Sequence, residues 1–142
     1  MTKKTIIGRV EYASFPALGL YDISTKIDTG AYNSSIHCEK IWEEKGQLHC
    51  YFSSSITASS APQCLIFDQY NIAVVKSSNG QTERRYKIMT TIYFGKKHYP
   101  IALTLTNRQG MRYPVLIGRK FLKKRFLVDV ASTNKLKNKH EK

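Results

Sequence analysis

Lys26-Ile27-Asp28-Thr29-Gly30-Ala31 sets one carboxylate between an apolar run and a glycine turn, and it occurs once in the chain. Leu20 to Ile27 reads as a strand that runs straight into this turn, so the carboxylate is presented at a strand end. Far downstream, Tyr113-Pro114-Val115-Leu116-Ile117-Gly118-Arg119 combines a short apolar strand with a second glycine. An Asp beside a turn is most often solvated or caps a backbone N–H, so the first segment alone has little weight. A second segment of the kind it needs as a partner gives it weight.

Around these two segments the strand signals are strong and the helix signals weak. Ile6 to Tyr12 reads as a first strand ending at the Ser14–Gly19 turn region, and Gln47 to Phe52 alternates as another. Leu65 to Lys76 and Glu83 to Phe94 flank Ser77-Ser78-Asn79-Gly80, and Asn-Gly between β-rich runs predicts a hairpin. After a turn at Gly95-Lys96-Lys97, the run His98 to Thr106 places Tyr99, Ile101, Leu103 and Leu105 on one face. Val115 to Ile117 is a short buried strand, Arg119 to Lys124 has room for one or two helical turns, and Phe126 to Val130 is a last strand. Ser53 to Gln63, rich in Ser and Ala, reads as a loop or insertion, and there is no internal repeat. About eight short strands punctuated by turns indicate an all-β closed barrel. From Ser132 the chain turns polar and basic, which divides it into a domain over residues 1–132 and a basic flexible tail over 133–142.

A chain of 142 residues with 42% hydrophobic and 23% charged composition is enough for one domain with a core. The apolar runs are far too short to span a bilayer, and the N-terminus lacks the apolar stretch of a signal peptide. The expected compartment is the cytoplasm, with no membrane partner. Cys38, Cys50 and Cys64 make an odd count, which fits reduced thiols better than a disulfide framework. The net charge of +13 has two readings. One is a self-repelling soluble surface, and the other is an acidic partner such as nucleic acid, an anionic surface or a Glu/Asp-rich substrate.

The chemistry centres on Asp28. Carboxylates alone can activate water for attack on an amide when two of them lie close enough to share one proton, which makes the pair base and acid together. The chain has four Asp residues, Asp22, Asp28, Asp68 and Asp129, and only Asp28 sits in such a turn. One chain therefore supplies half of a dyad. A two-fold symmetric dimer completes it, because an isologous interface sets a residue beside its own copy.

Lys26-Ile27-Asp28-Thr29-Gly30-Ala31 with Ser34-Ser35-Ile36-His37, then Arg84, then Leu103-Thr104-Leu105-Thr106-Asn107-Arg108, then Met111-Arg112-Tyr113-Pro114-Val115-Leu116-Ile117-Gly118-Arg119-Lys120-Phe121-Leu122 and Phe126-Leu127-Val128-Asp129-Val130, resembles the family known as ATP-dependent zinc proteases. That family is related to the retropepsins and is often encoded near RimK-type ATP-grasp ligases. The resemblance runs from about residue 5 to residue 132. It implies a retropepsin-like (acid protease) barrel with one lobe per chain, and Asp28 as the catalytic carboxylate. Thr29, Gly30, Ala31, Ile117, Gly118 and Arg119 follow as its active-site support. In retropepsins the Arg after the second glycine pairs with an acid shortly after Asp-Thr-Gly. Tyr32 and Asn33 stand there in this chain, so the ion pair is absent or uses another acid such as Asp129. The Asn79-Gly80 hairpin lies where a retropepsin flap would, although an ordinary surface hairpin reads the same.

The metal and nucleotide in the family's label find little support in the residues. His37-Cys38, His49-Cys50 and Cys64 supply donors but no Cys-x-x-Cys, and His-Glu-x-x-His is missing. Adjacent residues on a strand face opposite ways, so buried thiols are the expected role and no metal ligand is assigned. No glycine-rich phosphate loop with a Lys-Ser/Thr end is present, and no cofactor is expected. Arg108, Arg112, Arg119, Lys120, Lys123, Lys124 and Arg125, interleaved with Tyr113, Phe121 and Phe126, permit a nucleic-acid surface. A solvated basic rim over core aromatics is the favoured alternative. The expectation is thus an aspartic-type peptidase, active as a homodimer, that hydrolyses peptide or isopeptide bonds in a peptide or protein substrate, an acidic one if the basic rim attracts it. The alternative is a catalytically silent peptide-binding barrel associated with an ATP-grasp ligase.

Overall fold

The computed structural model describes residues 3–52, 62–76, 79–107 and 112–136. Twelve strands appear among them: β1 (Thr5–Ile7), β2 (Val10–Phe15), β3 (Leu20–Ile27), β4 (Ser34–His37), β5 (Lys40–Glu44), β6 (Gln47–Phe52), β7 (Gln63–Phe67), β8 (Asn71–Lys76), β9 (Thr82–Phe94), β10 (Lys97–Thr106), β11 (Val115–Ile117) and β12 (Phe126–Val128). One short helix, α1 (Arg119–Leu122), follows β11. No helix among the described residues is long and apolar enough to cross a membrane.

Six strands close a mixed barrel in the order β10-β4-β11-β3-β2-β9, sealed by the antiparallel pairing of β9 with β10. This is the all-β retropepsin-like barrel that the sequence predicts. Closure removes the open edges that would otherwise template aggregation. Two pairings, β3 with β11 and β4 with β10, are parallel and join segments distant in sequence. The first has Ile27 opposite Ile117, and that register carries Asp28 and Gly118 to the same end of the barrel. A separate sheet, β5-β6-β7, lies beside the barrel, and β1 pairs with β12.

The core is continuous from the barrel to α1. Phe94, Phe121 and Phe126 are buried, and Phe94 packs edge to face at 5.8 Å from Phe121 and 5.3 Å from Phe126. Such rings are worth about 3 kcal/mol each by burial, plus about 1 kcal/mol for the aromatic pairing.

Several expected elements differ in extent. The first strand breaks in two around Gly8, because that glycine lies against the Ser132 backbone with no room for a side chain. The run from Leu65 to Lys76 is also two strands. β7 joins the small sheet, while β8 pairs with β9 as the expected hairpin, with Val75 opposite Glu83. Ser77 and Ser78 of its turn, most of the Ser53–Gln63 loop, Arg108 and Met111 lie outside the described residues. β4 and β5 carry no clear strand signal in the sequence. β4 is buried at every position, so it shows no alternation.

Past Ser132, the first residues of the expected tail are anchored. The Glu11 carboxylate, wholly buried, accepts from the N–H groups of Gly8 at 2.7 Å, Lys135 at 2.9 Å and Leu136 at 3.0 Å. Asn134 N–H also donates to the Val10 carbonyl at 2.8 Å. Residues 137–142 lie outside the described residues.

Candidate active site

Asp28 leaves the end of β3 with its backbone N–H held by the Ile117 carbonyl at 2.8 Å. The turn that follows folds back on it. Gly30 N–H donates to Asp28 Oδ1 at 3.0 Å, and Ala31 N–H to the Asp28 carbonyl at 3.2 Å. Asp28 is half-buried, and the Gly30 bond is the one its carboxylate makes among the described residues. A carboxylate so placed keeps most of its lone pairs available to water or to a second carboxyl.

The second segment holds the loop from behind. Arg119 N–H donates to the Ala31 carbonyl at 2.8 Å, and Lys120 N–H to the Tyr32 carbonyl at 3.0 Å. Gly118 is pressed into the same backbone. A Cβ there would come within 2.5 Å of the Asn33 carbonyl oxygen and 2.8 Å of the Tyr32 oxygen, contacts no side chain can make without displacing main chain. Ser34 completes the junction, its buried hydroxyl accepting the Gly118 N–H at 3.0 Å. Asp28, Thr29, Gly30, Ala31, Ile117, Gly118 and Arg119 are therefore gathered in one place. Tyr32, Asn33 and Ser34 share that junction; in the sequence Tyr32 and Asn33 counted only as standing where an acid would, and Ser34 only as part of the family motif. The Ser-Ser after the Asp-Thr-Gly-Ala was the available signal for Ser34.

Among the described residues the Arg119 side chain takes no acidic partner. Its Nη1 donates to the Thr29 carbonyl at 3.0 Å, and its guanidinium lies 5.9 Å from the Tyr32 ring centroid. Asp129, the alternative acid, is occupied elsewhere. It accepts from Ser132 Oγ at 2.8 Å and from Ala131 N–H at 3.0 Å, and these bonds hold its carboxyl below the usual range. Among the described residues the one salt bridge joins Arg85 and Glu83 at 3.2 Å. The brace on the loop is thus an Arg–carbonyl bond beneath a tyrosine, with Tyr32 in the stretch where retropepsins carry the acid.

Beside the loop lies a cavity of about 560 Å³, lined by Thr29, Lys4, Arg119, Lys123, Lys124 and Phe126 among others. Its rim is cationic and its floor apolar, a surface suited to carboxylate-bearing chains with aliphatic stems. Phe121 and Phe126 are core residues, and Arg125 lies over the Phe121 and Tyr99 rings. Around Phe121 and Phe126 the basic stretch is therefore a charged rim over packed aromatics.

The soft donors do not fit a zinc centre. His49 stacks on Trp42 at 5.1 Å while its neighbour Cys50 is wholly buried, so the two face opposite ways. Cys38 and Cys50 are buried in the core, Cys64 is exposed, and no group of three or more His, Cys, Asp or Glu among the described residues could hold an ion.

Comparison with known proteins agrees with this geometry. A family model described as RimB-like, retropepsin-like aspartic endopeptidase RimB, matches residues 6–139. A probable alpha-L-glutamate ligase of Shewanella pealeana is 38% identical over 133 residues, covering 89% of this chain and 28% of the ligase. A ligase of the same description from Parasynechococcus marenigrum is 33% identical over 140 residues, covering 96% of this chain and 30% of its own length. The chain thus spans less than a third of these relatives. A crystal structure of Lpg0085, a Legionella pneumophila protein of unknown function, superposes with a TM-score of 0.73 at 28% identity, covering 94% of this chain and 99% of that one. On the match of nearly its whole length, with the Asp-Thr-Gly loop and its glycine backing in place, this chain belongs to the RimB-like family of retropepsin-like aspartic endopeptidases.

Proposed function

We propose that the chain is an aspartic-type peptidase that works as a homodimer, with Asp28 from each copy forming the catalytic dyad. The supporting observation is the Asp28 loop itself: one half-exposed carboxylate, held by main-chain bonds from both sides and left with lone pairs to spare. Two such carboxyls facing one another share a proton because both cannot stay ionised at close range. The ionised member takes a proton from water as the water oxygen attacks the carbonyl carbon of the substrate. The protonated member gives its proton to the carbonyl oxygen. Collapse of the tetrahedral intermediate then breaks the C–N bond, and the leaving nitrogen takes up a proton.

The substrate in this proposal is a glutamate-rich segment, cut at a peptide or isopeptide bond. Two observations favour it: the cationic cavity beside Thr29, and relatives described as alpha-L-glutamate ligases that contain a segment like this chain. A ligase that adds glutamate is the partner this reading pairs with the peptidase. The test is cleavage of a Glu-rich peptide against a neutral peptide of equal length at low salt, with wild type and Asp28→Asn. The expected result is preferential cleavage of the acidic peptide, lost in the variant while the dimer persists in sedimentation. Equal handling of both peptides removes the substrate assignment, and a monomeric protein removes the dyad.

Arg119, which braces the Thr29 carbonyl in place of an acid, favours a second reading, a barrel that binds peptide without cutting it, since the retropepsin brace is altered here. Acidic-peptide binding of equal strength in wild type and Asp28→Asn, with no product, would select that reading.

A further inference from the structure

We infer that a cleft on the outer face of the barrel, beside α1, is a second docking point for an acidic peptide, holding one glutamate side chain against Lys87, Lys120 and Arg125. The inference rests on the peptidase reading for the identity of the peptide. It adds a recognition site whose lining shares no residue with the cavity at Thr29.

The cleft, of about 210 Å³, lies between β9, β10 and α1. Strand alternation sets it up. Ile88 and Leu103 are buried in the core, so Lys87 and Met89, with Thr104 and Ala102 directly opposite them, stand on the other, outer face. α1 and the turn after it divide their cations between two cavities. Arg119, Lys123 and Lys124 line the one beside Thr29, whereas Lys120 and Arg125 line this one. Asn33 and Ser34, the residues against Gly118, also line it, so the cleft reaches the frame of the catalytic loop.

The neutral polar groups of the cleft are already used. The Ser34 hydroxyl accepts from Gly118 N–H, and the Thr104 hydroxyl donates to the Ser34 carbonyl. The cations are not used in this way. Among the described residues no acid lines the cleft, and neither Lys87 nor Lys120 meets a carboxylate. Arg125 is set in place, with Nη1 donating to the Phe121 carbonyl at 2.9 Å and the guanidinium 5.2 Å from the Tyr99 ring centroid. Held so, it keeps further N–H donors for a ligand at little cost in side-chain freedom. Three cations without an acid favour an anion. The floor narrows the choice, because Met89, 63% exposed, and Ala102 offer it an apolar surface. A carboxylate on a short aliphatic stem suits both, and that is a glutamate side chain. A nucleic acid would need an exposed ring to stack on, and Phe121, the aromatic in the lining, is buried. A run of glutamates brings a carboxylate to each cavity, and binding at two points reinforces itself.

The experiment follows binding of a fluorescent octaglutamate peptide by anisotropy at low salt, with the full chain carrying Asp28→Asn so that nothing is cut. Adding Lys87→Gln with Lys120→Gln is expected to weaken binding about tenfold. Lys120→Gln alone, at an exposed side chain, should give about threefold. Lys40→Gln with Lys76→Gln removes the same charge from exposed positions outside both cavities, and should change binding by less than about twofold. A loss in this control equal to that of the cleft pair overturns the site, since net charge alone then explains it. Binding that neither pair alters overturns the cleft and leaves the substrate assignment standing. No binding at all removes both. If the chain with Asp28 intact does not cut the peptide while the tenfold loss persists, the peptidase falls and the cleft stands. Inorganic polyphosphate bound more tightly than octaglutamate, with the same loss in the cleft pair, makes the cleft a phosphate site and overturns the glutamate assignment.

Discussion

Two carboxylates in this barrel are treated in opposite ways. Glu11 is wholly buried and takes three backbone N–H donors from both ends of the chain. Asp28 is half-exposed and takes one, from its own turn. Each is backed by a glycine jammed against main chain, Gly8 on Ser132 and Gly118 on Asn33. The frames are alike and the saturation differs. A carboxylate saturated with donors is a fastener, and one left undersupplied at the end of a rigid strand can take part in proton transfer.

The sharpest way to break this contrast is to neutralise each group. Asp28→Asn is expected to lower peptide cleavage by about 10³-fold or more, while the denaturant midpoint stays close to wild type. Glu11→Ala should do the reverse, costing about 3 kcal/mol in urea unfolding because three N–H groups lose a buried partner. If both variants unfold alike, the division of roles is wrong. Gly118→Ala comes next. Its methyl meets fixed main chain, so about 2 kcal/mol of stability and most activity should go together.

The smallest effect tests the surface. Glu43 accepts the Tyr70 hydroxyl at 2.6 Å and the Tyr86 hydroxyl at 2.7 Å, tying the small sheet to β9. The Tyr70 bond, then the Tyr86 bond, holds the Glu43 carboxyl below its usual range, and both tyrosines are raised by the same contacts. The lowered acid contributes stability above the unfolded carboxylate range, which is lost as pH falls through its folded value. The raised tyrosines contribute fully below the unfolded tyrosine range, and this is lost as pH rises through their folded values. The stability difference between wild type and Glu43→Gln should therefore be a plateau near neutrality that shrinks toward both extremes. A flat difference in pH-dependent melting would dismiss the latch.

The features legible in the sequence have local causes. Asp28-Thr29-Gly30 and the Asn79-Gly80 hairpin declare themselves through turn chemistry, and β10 through its alternating face. β4 stayed hidden because Ser34, Ser35 and His37 are polar yet buried. The Ser34 hydroxyl serves Gly118, and its carbonyl accepts the Thr104 hydroxyl at 3.2 Å. Glu11 was illegible for the same reason. In Val10-Glu11-Tyr12 it reads as an outward residue, and two of its three donors arrive from residues 135–136. The Arg119 brace could not be read either, since a carbonyl acceptor leaves no mark in the sequence.

The parallel pairing of β3 with β11 has a consequence for the order of events during synthesis. Asp28 is made early, yet its main-chain support comes from Ile117 and Arg119, near the far end of the domain. Until those residues leave the ribosome the Asp-Thr-Gly turn has nothing to lean on, and contacts of such long sequence separation form late. The loop that holds Asp28 is thus complete only once nearly the whole barrel exists.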